Sequence, residues 1–155
     1  MVTAEVRPPK GTDTNLLVER IRTVKSYCDA INITDNLRGI PLMSSLVCAH
    51  YVLQENAEPI MQMTSRDRNR IMFQSDLYGA YALGVRNVLF MKGDHPSLGT
   101  HPDAHAVYDL DSVESVALAT ILQLGFDLAG DELEGAPSFF VGSTFNPFDD
   151  HTHQI

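Results

Sequence analysis

The stretch G-V-R-N-V-L-F-M-K-G-D-H-P at residues 84–96 decides the fold. Its centre, Asn87 to Met91, reads as a strand. The run is apolar nearly throughout, as expected of a parallel strand covered on both faces. Gly84 suits the left-handed exit of a preceding helix. Lys92-Gly93-Asp94 follows the strand directly. Glycine there permits close backbone approach to a ligand, and the aspartate can accept hydrogen bonds or steady a developing cation. A plain tight turn accounts for the same residues.

Working outward, short apolar runs alternate with longer helical ones. Thr3 to Val6 is a strand stopped by Pro8-Pro9, and Thr14 to Tyr27 places Leu16, Leu17, Ile21 and Val24 on one helical face. Ala30 to Thr34 is a second strand. A loop through Asn36 and Gly39 leads to a helix that Ser44 or Ser45 could cap. Pro59 to Thr64 is a third strand, and a long helix is expected from Asp67 to Leu83. Asp111 with Glu114 forms a capping box for a helix ending near Gly125. Ser138 to Gly142 makes the fifth strand. The irregular stretch between Gly93 and Asp111 is long enough to suggest a functional loop; Asp127 to Pro137 is a second, acidic one.

Such a β/α repeat calls for a parallel sheet in one domain over residues 1–155. Two architectures compete, a doubly wound open sheet and part of a (β/α)8 barrel. A barrel typically needs roughly 250 residues, so length alone favours the open sheet. The usual glycine-rich phosphate fingerprints of open sheets are absent from the sequence. Polar residues instead gather after each strand, where both architectures place their sites.

Composition narrows the function. A net charge of −9 argues against nucleic-acid binding, which needs a basic footprint. The two cysteines, Cys28 and Cys48, have no metal-ligand spacing and read as buried thiols of a reducing compartment. No apolar run approaches membrane-spanning or signal-peptide length, so a cytoplasmic protein is expected, with no membrane association.

Several residues could carry chemistry. Glu5 lies in an apolar strand start, where desolvation would raise its pKa and suit it to general acid work; pairing with Arg7 or Lys10 is the plainer account. Arg66, Arg68 and Arg70 either form an anion site or pair with Asp67, Asp76 and the acidic surface. His95, His101 and His105 share one loop with Asp94, Asp103 and Asp109, but their spacing fits no regular ligand pattern, so no metal site is expected.

In their order, these segments resemble the methylenetetrahydrofolate reductase family. The resemblance rests on E-V-R-P-P at 5–9, N-I-T-D-N at 32–36, Q-M-T-S-R-D-R-N at 62–69 and Q-S-D-L-Y-G-A at 74–80. It continues through 84–96, V-Y-D-L-D-S-V at 107–113 and F-F-V-G-S-T-F-N-P at 139–147. It implies a TIM-type (β/α)8 barrel cut to about five β/α units. It also implies an FAD-dependent oxidoreductase of one-carbon metabolism and methionine biosynthesis. Such an enzyme reduces 5,10-methylenetetrahydrofolate to 5-methyltetrahydrofolate with NAD(P)H as co-substrate.

Site roles follow from the same resemblance. Glu5 matches the general acid that opens the folate ring, and Asp94 the aspartate beside the flavin. Lys92 and Gly93 match neighbours along the cofactor, although the family often has arginine or threonine at the place of Lys92. Thr34, Asp35 and Gln62 match flavin-lining positions, with histidine in some members where Gln62 stands. Tyr108 and Asp109 match the stretch holding the far part of FAD. Gly142 and Asn146 match fifth-strand contacts, Gly142 without the aromatic side chain of some members. A complete family barrel has three further strands, so a homo-oligomer or a partner chain completing the barrel is expected. A non-catalytic relic, or a subunit that only binds FAD or folate, is the alternative.

Overall fold

The computed structural model describes residues 1–144. Strands β1 (Thr3–Val6), β2 (Ala30–Ile33), β3 (Pro59–Thr64), β4 (Asn87–Met91) and β5 (Phe140–Ser143) alternate with helices α1 (Thr14–Val24), α2 (Ser45–Gln54), α3 (Arg70–Ala82) and α4 (Ser112–Gln123). The sheet is parallel throughout, in the order β1-β2-β3-β4-β5.

That order settles the competition left by the sequence. A doubly wound sheet reverses its strand order at a switch point and so covers both faces. Here the order never reverses, and right-handed crossovers then lay every helix on the same face. Packing agrees. The register line Val6–Ile33–Met61–Val88–Val141 faces the helices, where Leu17, Ile21, Cys48, Val52, Phe73, Leu77, Leu118 and Leu122 are fully buried. The chain has the TIM-barrel-type β/α architecture, and the open-sheet expectation drawn from length is corrected.

The opposite face carries the adjacent register line Glu5–Asn32–Ile60–Asn87–Phe140. No helix among the described residues covers it. Leu89 and Met91 of β4 are therefore only half-buried, and Phe140 is 75% exposed. The expected coverage of β4 on both faces is not met there.

Local signals place most element ends. The Asp111–Glu114 capping box is formed in both directions, and Gly84 and Gly125 leave their helices at φ +100° and +92°. Several bounds differ from expectation, and β2 ends at Ile33 rather than Thr34. α1 stops at Val24, and Tyr27 stands 81% exposed beyond it. β5 spans Phe140–Ser143 rather than starting at Ser138, because the Phe139 amide bonds the Gln123 side chain at 3.0 Å instead of joining the ladder. α3 begins at Arg70 rather than Asp67: Ser65–Asp67 form a 3-10 turn, and the Asn69 side chain caps the amides of Ile71 and Met72. Ser44 holds the N-cap position of α2 without a side-chain bond. Ser45 instead donates to the Gln62 carbonyl at 2.9 Å.

Candidate functional site at the carboxyl ends of the strands

Parallel strands point their carboxyl ends the same way, so the segments following β1 to β5 gather at one end of the sheet. Glu5 lies on β1 and pairs in register with Asn32. Gln62 on β3 pairs with Leu89, and Leu89 with Gly142. Strand alternation puts all five side-chain positions on the bare face. Thr34 and Lys92-Gly93-Asp94 follow the ends of β2 and β4. Asn146 lies outside the described residues.

The arginines are not an anion site; they are consumed internally. Arg68 pairs with Asp35 and, at 2.8 Å, with Asp76. Arg70 pairs with Asp109 at 2.9 Å. Arg66, only 2% exposed, grips Asp67 with two bonds of 2.8 and 2.6 Å. Asp35 is saturated, since Thr64 donates to it from backbone and hydroxyl at 2.8 and 3.0 Å. Its carboxylate therefore ties β2 to β3 and offers nothing to a ligand. Asp109 accepts from the Arg70 backbone and guanidinium, which hold its carboxyl down at about 2.

Glu5 and Asp94 contrast with these. Both are exposed, and neither has a cation partner among the described residues. The expected desolvation of Glu5 is thus corrected: its neighbours Ala4 and Val6 point toward the helices, and alternation turns Glu5 the other way.

Around Asp94 the backbone is tightly held. Gly93 sits at φ +82°, and a Cβ there would come within 3.2 Å of Thr64. Carbonyls of three consecutive residues are fixed: Lys92 accepts from the Arg66 amide at 3.1 Å, Gly93 from the Tyr108 hydroxyl at 3.3 Å, and Asp94 from the Arg66 guanidinium at 3.2 Å. Tyr108 adopts a left-handed φ of 44°, and its amide bonds the Ser65 carbonyl. Lys92 Nζ lies 5.5 Å from its ring centroid. Burial pushes the Tyr108 phenol above its ordinary range.

Among the described residues three buried side-chain atoms have no hydrogen-bond partner: Asn32 Oδ1 on β2, Thr34 Oγ1 just after it, and His50 Nδ1 on α2. Thr34 is 1% exposed. Orphaned groups of this kind are uncommon and call for an explanation. Asn32 was not singled out from the sequence as a site residue, whereas Arg66 was, within the arginine run 66–70, either for an anion site or for internal pairing. A polar residue inside the apolar A-I-N-I run was a signal for Asn32. Among the described residues, no group of three His, Cys, Asp or Glu is arranged to hold a metal ion.

A one-sided parallel β/α sheet whose polar groups collect at the strand carboxyl ends defines a barrel-type enzyme scaffold. The profile of the family described as methylenetetrahydrofolate reductase matches residues 1–123, and the chain belongs to that family. The family is one of folate-linked reductases. No individual curated protein matches the chain at a significant level. The matched span contains Glu5, Thr34, Asp35, Gln62, Lys92 to Asp94, Tyr108 and Asp109; Gly142 and Asn146 lie beyond it.

Proposed function

We propose that the chain serves in the flavin-dependent reduction of 5,10-methylenetetrahydrofolate to 5-methyltetrahydrofolate, with NAD(P)H as the electron source. One observation carries this reading. Of the carboxylates on or just after the strands, Asp35 and Asp67 are neutralised by arginine, while Glu5 and Asp94 have no cation partner among the described residues. A general acid and a cation-stabilising carboxylate need that freedom.

The residues present fit an FAD. Thr34 and Asn32 bring unsatisfied polar atoms to the strand end. Gly93 and Gly142 keep the surface low, since a Cβ on Gly142 would stand 3.0 Å from Leu89. Lys92, Gly93, Gln62 and Tyr108 would hold the cofactor; Asp35 and Asp109 would act one layer back, by fixing Arg68 and Arg70. Bound FAD supplies the relay of a hydride from NAD(P)H. Glu5, on the face that substrate would cover, gives a proton to the folate amine as the five-membered ring opens. Asp94 steadies the iminium charge. The methylene carbon gains the hydride and the amine the proton, which balances the reduction to a methyl group.

The bare face and the outer edges of β1 and β5 are open among the described residues. We take the rest of the barrel wall to come from residues beyond these or from a second chain, of this kind or another. Among the described residues no helix is long and apolar enough to cross a membrane, and two free thiols agree with a cytoplasmic setting. Absorbance after incubation with FAD and gel filtration tests the cofactor, and light scattering tests the assembly. With flavin retained, Glu5→Gln and Asp94→Asn should each lower kcat by roughly a hundredfold or more. A chain that retains no flavin, alone or with a completing partner, would sink the proposal.

A further inference from the structure

We infer that Arg66 is a positioning residue that assembles the cofactor side of the site before any ligand arrives; this rests on the reading of function just given. The guanidinium is buried in the one place where the loops after β2, β3 and β4 meet. Nη2 donates to the Asn36 carbonyl at 3.0 Å, in the loop after β2. Nη1 donates to the Asp94 carbonyl, in the loop after β4. Nε and Nη2 hold Asp67, in the turn after β3, and Asp67 also accepts from the Asn36 amide at 3.2 Å. A planar fork can serve three directions at once, and an ammonium cannot.

A second, independent observation shows that the loops are closed upon each other. A Cβ on Gly99 would lie 2.5 Å from the Gly39 carbonyl oxygen and 2.6 Å from that of Arg38. The loop after β4 and the loop after β2 therefore touch backbone to backbone. The contact has a conformational cost, because Asn36 and Arg38 both sit at left-handed φ, 44° and 57°. Residues persist in such conformations only when their surroundings over-determine them. Arg66 supplies that determination, since one of its bonds ends on the carbonyl of Asn36.

The consequence for chemistry is directional. With its carbonyl turned to Arg66, the Asp94 backbone is fixed, and its carboxylate leaves from a set point beyond Gly93. Arg66 thus acts on the reaction through Asp94, by its guanidinium, and on FAD through Lys92, whose carbonyl its own backbone amide holds, without itself touching either reactant.

Two variants test this without removing any group proposed to contact a ligand. Arg66→Lys keeps the charge and loses the fork; Gly99→Ala keeps the fork and pries the loops apart. Arg22→Gln, which breaks a pair with Glu55 at the other end of the sheet, controls for general destabilisation. Hydrogen exchange should rise at residues 36–40 and 93–99 in both test variants and stay unchanged there in the control. FAD affinity should fall at least tenfold in both, with a blurred flavin band, and stay within twofold in the control. Unchanged exchange in Arg66→Lys overturns the inference. So does raised exchange with FAD affinity within twofold of wild type, which would make Arg66 a prop of the fold alone. If the wild-type chain binds no FAD, the functional reading falls, and the exchange pattern alone decides whether the clamp exists.

Discussion

Two neighbouring register lines of one sheet differ in almost every respect. Val6–Ile33–Met61–Val88–Val141 is apolar and covered by helices; Glu5–Asn32–Ile60–Asn87–Phe140, one residue out of phase, is mixed and bare. The period of two keeps these sets apart, so a residue's function is decided by parity along its strand. The covered line stores stability in burial and close packing. On the bare side Asn32 and Thr34 carry polar atoms left unsatisfied among the described residues, which costs stability.

If that division is right, the largest effect on folding comes from the covered face. Phe73 is fully buried and meets Phe90 edge to face, with ring centroids 5.9 Å apart. Phe73→Ala should cost about 3–5 kcal/mol, transfer and cavity terms together. Denaturant unfolding checks this. A loss under about 1 kcal/mol would mean that the site collapses freely and that the core is not packed as described.

A smaller effect of opposite sign is expected where the strand ends meet the bare face. Thr34→Val removes a buried hydroxyl that has no partner among the described residues. Stability should hold or rise by up to about 1 kcal/mol, while FAD binding weakens. The two readouts moving in opposite directions would sharpen the contrast between the regions. A marked loss of stability would show that the hydroxyl is satisfied in solution.

Much of this was legible in the residues. Pro59–Thr64 and Asn87–Met91 begin and end where the apolar runs do, and the Asp111–Glu114 box marks α4 by purely local chemistry. Strand order was not legible from periodicity, because alternation fixes which residues share a face and leaves open on which side the crossovers lie. The start of α3 was misread because Arg66 and Arg68 are drawn inward by Asn36, Asp94 and Asp35, partners about thirty positions away in sequence. Glu5 illustrates the same limit: its apolar neighbours suggested burial, yet in a strand they are the residues that point the other way.

The smallest effect expected is set by pH, and it separates the loop bordering the site from the covered core. Asp109 anchors the end of that loop to α3 through Arg70, and its carboxyl is held at about 2, against an ordinary value of about 3.9. A depressed folded-state pKa contributes stability that is fully present above the ordinary value. The contribution is lost as pH falls from there through about 2. Asp109→Asn should therefore be less stable than wild type at pH 6, and the gap should close as pH falls below about 4. Phe73→Ala has no such dependence, because no titrating group is removed, so its deficit should persist across the same range. Glu55, held at about 2 by Arg22 and Lys25 at the opposite end of the sheet, titrates in the same window but is common to all three proteins and cancels in their differences. Denaturant midpoints for wild type and both variants at pH 6, 4 and 3 would show one gap closing and the other constant. If both closed together, acid would be loosening the whole sheet, and loop and core would be one cooperative unit rather than two regions with separate work.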